Sequence, residues 1–292
     1  MRDFRFEIDI DLNSFNLVHI FECGQCFRWE KEEEFENSYI GIIKDTVLRV
    51  SIDGNKLICE GVTLLDNIEE YLYNYFDLKT DYNMLKNKLS KIDEHLKTSI
   101  KFGYGIRILN QDLWETIISF IISANNNIPR IKKIINSISK EYGNKIVFEG
   151  KEYYSFPNPE ALSKATVQDL RTLGLGFRDI RVYNTTRMIL NNEINLENLY
   201  KEKDINFVKD ELLKLDGVGE KVADCIMLFS LRRYDAFPVD VWVRRVMNDL
   251  YIHNEDEEKV NKKMLREYAY DKFGDIAGIA QQYLFYWKRE IS

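Results

Sequence analysis

The chain is long enough to bury large cores, and its composition excludes several classes of protein. It has 292 residues, of which 45% are hydrophobic and 13% aromatic, so we expect two or three packed lobes. The formal net charge is −7, which argues weakly against a nucleic-acid partner because most DNA-binding proteins are basic overall. Local clusters of arginine and lysine would have to supply any attraction for DNA.

The sequence predicts no signal peptide, membrane span or metal site. The first residues precede strand-like sequence and contain no long apolar run, so we expect a cytoplasmic protein, nucleoid-associated in a prokaryote, with no membrane partner. The four cysteines are too few and too scattered for a disulfide framework and are expected to be free thiols. Cys23 and Cys26 form a CxxC pair, but a zinc site needs a second pair or suitably spaced histidines.

Residues 4–62 are predicted to form a curved antiparallel sheet. Apolar and polar residues alternate over 6–12, and the segments 47–52 and 56–59 are typical of two strands joined by a turn. Within this region Gly24 interrupts an aromatic-rich run, where a strand would favour a side chain. Such a glycine indicates either a bulge or a close approach of the backbone to a ligand, and the residues alone leave both open.

The following residues indicate helices and a second, larger domain. Apolar residues recur at spacings of three and four over 67–101, which predicts helices that link the sheet to this domain. No Pro/Gly/Ser-rich linker appears, so the lobes are expected to pack against each other. We predict an α+β protein with an N-terminal antiparallel β-sheet lobe and linking helices over 1–108, and a mostly α-helical domain over 109–292.

Two loops of the helical domain carry residues suited to recognition. Asp112 is a plausible N-cap for an apolar helix that runs into three asparagines, Asn125 to Asn127. Asparagine runs commonly end helices, and Pro129 is suited to start the next one, although three amides in succession also indicate a binding role. Further on, a turn with two glycines sets Phe177 beside Arg178. On structural grounds alone, Phe177 would be a core residue.

The segment 206–229 is predicted to be two helices joined by a tight hairpin at 216–219. The free N–H groups of the second helix would hold a phosphate without sequence preference. Lys221 lies in the first turn of that helix, where the helix dipole and partial burial are expected to lower its pKa and make it nucleophilic. Asp240, after Pro238, is predicted to cap a third helix. Taken singly, Lys221 is ordinarily a surface residue and Asp240 ordinarily a cap.

The last helix, over 276–287, brings two side chains of different chemistry onto one face. Gln281 and Phe285 are four residues apart, so one could hydrogen bond the edge of a flat ligand while the other stacks on its ring. Core packing accounts for most of the other residues of this helix.

Together these motifs resemble those of a known family. Leu-Asp-Gly-Val-Gly-Glu-Lys-Val-Ala-Asp-Cys followed by Pro-Val-Asp resembles the signature of the helix-hairpin-helix-GPD DNA glycosylase superfamily. Gly-Gln-Cys-Phe-Arg-Trp is similar to the Gly-Gln-Ser-Phe-Arg-Trp of 8-oxoguanine DNA glycosylases. The resemblance runs from about Phe21 to Phe285 through five motifs in the family's order. It implies a TBP-like N-terminal sheet, a helix-hairpin-helix glycosylase domain and a bifunctional 8-oxoguanine DNA glycosylase and AP lyase of base excision repair.

The resemblance also implies residue roles. Lys221 would attack C1′ of the damaged nucleoside to form a Schiff base, and Asp240 would assist loss of the base. The base pocket would be formed by Gly24, Phe27, Cys225, Gln281 and Phe285. The orphaned cytosine would be contacted by Asn125, Arg130 and Arg178, and the gap in the base stack would be filled by Phe177. The DNA backbone would be bound by Gly217, Val218 and Gly219.

Two departures from the family and two rival functions stay open. Cys26 replaces the commoner serine, and Trp242 stands where animal enzymes have a phosphate-contacting histidine, which leaves the strictness for cytosine opposite the lesion undecided. The rivals are a glycosylase for another lesion and a catalytically silent DNA-binding module. The expected partner is double-stranded DNA containing oxidised guanine, bound by a monomer. No cofactor is expected to be required, although the hairpin carbonyls of relatives can hold a structural cation.

Overall fold

The computed structural model describes residues 1–35 and 37–291, and its N-terminal part is a five-stranded antiparallel sheet. The strands lie in the order β1-β5-β4-β3-β2. Asp53 pairs with Lys56, so Gly54 and Asn55 form the predicted tight turn. The predicted α+β class is confirmed. The strands are β1 (Arg2–Asp9), β2 (Trp29–Lys31), β3 (Ser38–Ile43), β4 (Thr46–Asp53) and β5 (Lys56–Thr63).

The prediction that Gly24 lies within a strand is wrong. A short helix, α1 (Leu17–Glu22), precedes it, and the chain enters the sheet only at Trp29. The side chain of Asn16 accepts a hydrogen bond from the backbone N–H of His19 at 3.1 Å and starts this helix. Gly24 therefore lies in a loop between α1 and β2, with a φ of +88°, a conformation that favours glycine.

Helices make up most of the rest of the chain. Three of them, α2 (Ile68–Tyr75), α3 (Tyr82–Ser90) and α4 (Glu94–Phe102), confirm the helical prediction for 67–101. The sequence analysis did not predict the hairpin of β6 (Lys145–Phe148) and β7 (Lys151–Tyr154). The other helices are α5 (Leu113–Ser123), α6 (Ile128–Tyr142), α7 (Pro159–Leu162), α8 (Val167–Thr172), α9 (Asp179–Leu190), α10 (Leu196–Lys201), α11 (Ile205–Leu213), α12 (Glu220–Ser230), α13 (Val241–Met247), α14 (Lys262–Phe273) and α15 (Ala277–Ile291).

Four short helical turns complete the secondary structure. Three are of the 3₁₀ type, at Gly176–Arg178, Glu257–Lys259 and Gly274–Ile276, and one is a π turn at Asn248–Ile252. Among the described residues, no helix combines the length and the apolar character needed to cross a bilayer.

Two large apolar cores divide the molecule, and the loop of Gly24 lies where they meet. One core joins the sheet to α1 and α2, and the other joins the helices from α3 to α15. Cys26 and Trp29 pack into the sheet core, whereas Cys23 and Phe27 pack into the helical core. The loop is therefore held from both sides and can act as a rigid part of a site.

Candidate active site

The hairpin between α11 and α12 has the geometry of a phosphate-binding turn. Gly217 has a φ of +87°, and a Cβ there would lie 2.8 Å from Cδ of Arg181, so no larger residue fits without strain. Val218 is buried and anchors the turn in the core. Around Gly219 a Cβ would meet nothing within 4 Å, and no side chain caps α12. The first N–H groups of α12 thus remain available for an anion.

Lys221 is the second residue of α12 and is half-buried. Its surroundings favour the protonated form of the amine. Its Nζ lies 5.3 Å from the centroid of the Phe120 ring, and it hydrogen bonds the Cys225 side chain one turn further on. Burial lowers the pKa of Lys221, but Cys225 and the charge of Asp240 together outweigh burial and raise it above the ordinary lysine value. The expectation of a lowered pKa is therefore wrong. The amine must lose a proton before it can act as a nucleophile.

Asp240 caps α13, as predicted, and faces the same region as Lys221. Its Oδ1 accepts a hydrogen bond from the backbone N–H of Val243 at 2.8 Å. In the part of the chain that the structure describes, Oδ2 accepts no hydrogen bond and no ion pair within 4.0 Å joins Asp240 to Lys221. The charge of the carboxylate nevertheless raises the pKa of the amine, so the two groups interact electrostatically without forming an ion pair.

The predicted base-pocket residues come from opposite ends of the chain and partly meet. A Cβ added to Gly24 would lie 3.5 Å from Cε1 of Phe285 and 3.4 Å from Nη1 of Arg289. Gln281, one turn before Phe285, is buried, and its Oε1 accepts a hydrogen bond from Nε2 of Gln282 at 3.0 Å. The loop after α1 therefore lies directly against α15.

Cys225 adjoins the amine, and Phe27 lies behind the ring on which the amine rests. Burial raises the pKa of Cys225 to about 11, so it is a neutral thiol at neutral pH. Phe27 is buried and packs edge-to-face on Phe120 with ring centroids 5.4 Å apart. Because Phe120 also lies beneath Lys221, Phe27 supports the floor of the site from behind.

Gln25, which the sequence analysis did not single out, fixes the Gly24 loop. Its side chain is fully buried, and Nε2 donates to the carbonyls of Ile20 and Arg107 at 2.8 and 2.7 Å. Its Oε1 accepts from the backbone N–H of Leu109 at 2.8 Å. Within the described residues, the Gly24 carbonyl accepts no hydrogen bond. The loop is therefore rigid, and the Gly24 carbonyl remains free to accept a hydrogen bond. In the sequence, the glutamine next to Gly24 was the only indication of this arrangement.

Gln281 and Phe285 line a narrow space between α13 and α15, together with apolar side chains. This space has no room for a water molecule, and Gly24, Lys221 and Cys225 do not line it. A larger open cleft lies between the sheet, α6 and β7, and none of the predicted site residues lines it.

Of the three successive asparagines, two have structural roles and one is free. Asn126 Nδ2 donates to the carbonyl of Ile122 at 3.1 Å, and Asn127 caps α6 by accepting from the N–H of Arg130 at 3.0 Å. Asn125 is exposed, has a φ of +51° and makes no side-chain hydrogen bond with any described residue. Its amide is thus available for a ligand.

The predicted wedge and its arginine lie beside this loop. Phe177 is 53% exposed, so the alternative that it is a core residue is wrong. Its ring lies 4.2 Å from the Arg178 guanidinium and 5.4 Å from that of Arg181. Arg178 is buried and donates to the carbonyls of Ala124, Asn125 and Leu175, which leaves one of its five N–H groups for another partner.

Arg130 completes a positive cluster at this surface. It is exposed, and its Nη2 donates to the carbonyl of Gly174 at 3.3 Å. Burial, followed by the charges of Arg130 and Arg181, lowers the pKa of Arg178, which indicates that the three guanidinium groups lie close together. The structure thus brings Asn125, Arg130 and Phe177 onto one surface, with Arg178 buried beside them. Local positive charge offsets the acidic global balance there.

Comparisons with known proteins assign both parts of the chain. Residues 7–117 match the family model for the 8-oxoguanine DNA glycosylase N-terminal domain, and residues 118–269 match the HhH-GPD superfamily of base excision DNA repair proteins. The predicted boundary at 108/109 stays a prediction. An N-glycosylase/DNA lyase of Saccharomyces cerevisiae is 31% identical, with the alignment covering 96% of this chain and 85% of that protein.

Two solved structures are similar over nearly their whole length. MBOgg1 in complex with a low-affinity DNA ligand is 43% identical, with a TM-score of 0.92 over 98% of this chain and 96% of that one. The 8-oxoguanine glycosylase/lyase of Clostridium acetobutylicum, in complex with double-stranded DNA containing cytosine opposite 8-oxoG, is also 43% identical, with a TM-score of 0.90 over 99% and 98% of the two chains. The chain therefore belongs to the HhH-GPD superfamily of base excision DNA repair proteins and carries the N-terminal domain of its 8-oxoguanine DNA glycosylases.

Proposed function

We propose that this protein is a bifunctional DNA glycosylase and AP lyase that excises 8-oxoguanine from duplex DNA. The observation that carries the proposal is the pairing of Lys221 and Asp240. The amine lies at the start of α12, which has no side-chain cap, and the carboxylate lies at the start of α13. The charge of the carboxylate raises the pKa of the amine although no ion pair within 4.0 Å joins the two described groups. The DNA-bound relatives at 43% identity support the choice of substrate.

Recognition would use the loop after α1 together with α15. 8-Oxoguanine carries a hydrogen on N7, whereas guanine has a bare acceptor there, so the unpaired Gly24 carbonyl would bond the damaged base and repel the normal one. Gln281 would bond another edge of the base, and Phe285 and Cys225 would enclose its two faces. Because the space beside Gln281 and Phe285 has no room even for a water molecule, we expect entry of the base to displace the Phe285 ring.

The DNA would be held by the hairpin and by the positive surface around Phe177. The N–H groups behind Gly217, Val218 and Gly219 would bind backbone phosphates, since α12 has no side-chain cap. Phe177 would occupy the gap left by the extruded nucleotide. Asn125 and Arg130 would contact the orphaned cytosine, and Arg178 would mainly hold the Asn125 loop because most of its N–H groups are already used.

The chemistry would begin with loss of a proton from Lys221 to water, and Asp240 Oδ2, which accepts no hydrogen bond from a described residue, would face the sugar. The bond from C1′ to the base breaks with its electrons moving to the base, and the amine forms a bond to C1′. Asp240 stabilises the positive charge that develops on the sugar. Opening of the sugar ring gives an imine, removal of a C2′ proton follows, and the 3′ phosphate leaves with the electrons of the C3′–O bond.

Borohydride trapping tests this function directly. Reduction of the imine makes the bond between lysine and DNA permanent, so wild-type protein should form a covalent complex with a duplex containing 8-oxoguanine opposite cytosine. Undamaged duplex should give none. Binding without base release or trapping would favour the silent module, and trapping only with alkylated bases or oxidised pyrimidines would favour the other glycosylase reading. The same assay with C, A, G or T opposite the lesion measures the opposite-base preference.

We further propose that the protein acts as a monomer and needs no cofactor for chemistry. The described residues contain no group of three His, Cys, Asp or Glu side chains suited to a metal ion. A cation at the hairpin would therefore be held by backbone carbonyls, which suit a hard cation. Removing and restoring K⁺ or Mg²⁺ should change DNA affinity and leave single-turnover base excision at saturating protein unchanged. Size-exclusion chromatography with light scattering tests the oligomeric state.

A further inference from the structure

One arginine outside the predicted site joins the two halves of the base pocket. Arg289 lies in the last turn of α15, and its Nη2 donates a hydrogen bond to the carbonyl of Glu22, the last residue of α1. Carbonyls at a helix C-terminus lack partners within the helix and attract cations. The guanidinium therefore caps the short helix that leads into the Gly24 loop.

The same guanidinium also contacts the stacking ring and the glycine. Its central carbon lies 5.5 Å from the centroid of Phe285, four residues earlier on α15, a favourable distance for a cation beside an aromatic ring. Its Nη1 would lie 3.4 Å from a Cβ placed on Gly24. One charged, planar group thus contacts the helix before Gly24 and the Phe285 ring, and it occupies the side of Gly24 on which a Cβ would lie.

We infer that Arg289 is a positioning residue for base recognition, which sets the separation between the Gly24 carbonyl and the Phe285 ring. This inference rests on the proposed function. A carbonyl discriminates between bases only when it is held at hydrogen-bond distance and angle. Gln25 fixes the loop to the chain around Arg107 and Leu109, whereas Arg289 fixes it to the helix that carries the stacking ring.

We expect the fold to tolerate loss of this contact. Tyr286 packs on His19 of α1 and on Phe102 of α4, with ring centroids 5.5 and 5.6 Å apart, so these contacts would still hold α15 against α1 in an Arg289 variant. Arg289 also lies 5.5 Å from the centroid of the Tyr286 ring and pairs with its neighbour Glu290 at 2.7 Å. That carboxylate is 42% exposed, so the pair adds little to stability.

The decisive measurement compares a substrate that has a base with one that lacks it. An abasic site has no base that the Gly24 carbonyl or the Phe285 ring could contact, but its sugar would still react with Lys221. For Arg289→Met, which keeps the length and removes the charge, kcat/KM for 8-oxoguanine excision should fall about 10- to 100-fold, the range for loss of a hydrogen bond to a charged group. Strand cleavage and borohydride trapping at an abasic site should stay within about twofold of wild type.

Two further variants separate positioning from general damage. Arg289→Lys keeps one donor for the Glu22 carbonyl and should restore part of the lost excision, and it replaces the methionine variant if that fails to fold. Glu290→Gln leaves the contacts of Arg289 with Glu22, Gly24 and Phe285 in place and should excise 8-oxoguanine at the wild-type rate. Thermal unfolding of each variant checks the fold.

The outcomes are distinct. If Arg289→Met lowers excision and abasic cleavage equally, or changes neither, the positioning role is wrong. If wild-type protein itself releases no 8-oxoguanine and forms no covalent complex, the proposed function fails, and the role of Arg289 in it fails too. A loss confined to the base-containing substrate, with partial recovery in Arg289→Lys, supports the inference.

Discussion

The part of the site that would do chemistry and the part that would read the base are built in different ways. The chemical part, from Gly217 to Asp240, is nearly continuous in sequence, and helix starts orient its two key side chains. The reading part joins a loop near the N-terminus to the last helix. Short-range structure fixes the first, whereas the second depends on long-range contacts of Gln25 and Arg289.

This difference teaches that catalysis and recognition can be altered separately. A helix start keeps its geometry when distant residues change, because its orientation comes from local hydrogen bonds. A pocket assembled from both ends of a chain changes whenever either end shifts. Variants in the chemical part should therefore impair every substrate, and variants in the reading part should impair only substrates that carry a base.

The largest expected effect is on the chemical part. Lys221→Gln removes the nucleophile, so base excision coupled to strand cleavage should fall on the order of 10⁴-fold or more, and borohydride trapping should disappear with both 8-oxoguanine and abasic DNA. Single-turnover assays on both substrates measure this. The control is Lys214→Gln at the end of α11, where the side chain is 57% exposed and, among the described residues, forms an ion pair only with Glu211. Covalent trapping that survives in Lys221→Gln would show that another amine reacts.

The next effect separates the charge of Asp240 from its role as a cap. Asparagine caps helices about as well as aspartate, so Asp240→Asn should keep the hydrogen bond to Val243 and the unfolding temperature. Without the charge, base excision should slow about 10²- to 10⁴-fold. Asp240→Ala should slow excision and also cost about 1 kcal/mol of stability. Full activity in the asparagine variant would reduce Asp240 to a structural cap.

A smaller effect is expected at the wedge. Phe177→Ala removes a stacking surface worth about 1–3 kcal/mol, so the affinity for duplex containing 8-oxoguanine should fall about 5- to 150-fold. Phe177→Tyr should retain wild-type affinity. Phe207→Ala is the matched control, because Phe207 is also an exposed phenylalanine, at 46%, and lies on α11 outside the predicted contacts. Equal losses in both alanine variants, measured by fluorescence anisotropy, would mean that Phe177 has no special role.

The sequence predicted the locally determined features well. The caps Asp112 and Asp240, the hairpin at Gly217 and the turn at Gly54 follow from residue types within a few positions of each other. The hairpin of β6 and β7 was missed, although Glu149 and Gly150 both have positive φ values, which is typical of a tight two-residue turn. A glutamate at the first position gave no clear signal for that turn.

Properties that depend on distant neighbours were predicted poorly. The Gly24 loop was taken for part of the sheet because it is an aromatic-rich run within a strand-like region, but the cap at Asn16 makes a helix before it. The pKa of Lys221 was expected to be low on the basis of burial and the helix start, but the structure adds Cys225 and Asp240, which raise it. The hydrogen bonds of Arg178 to backbone carbonyls of the Asn125 loop were not predicted either, whereas its role as a cytosine contact stays a prediction.

The last prediction concerns the junction of the two parts and should leave the chemistry unchanged. Glu115 on α5 lies 3.8 Å from Arg28, which follows the Gly24 loop. Burial raises the pKa of Glu115 to about 7, against the opposing charge of Arg28, and Asp112 adds to the rise. Because the folded protein holds this proton more tightly than the unfolded chain, the associated stability is present at acidic pH and is lost as pH rises from about 4.5 to 7.

Glu115→Gln should remove this part of the pH dependence. Between pH 5.5 and 7.5, the free energy of unfolding of wild type should fall by about 1–2 kcal/mol more than that of the variant, measured by urea denaturation. Other titrating groups are common to both proteins and cancel in the comparison. Glu70→Gln, which changes an exposed glutamate on α2, should behave like wild type. Identical pH dependence in wild type and Glu115→Gln would mean that Glu115 ionises at its ordinary pKa, so that the contact of α5 with the recognition loop would carry a full ion pair at neutral pH.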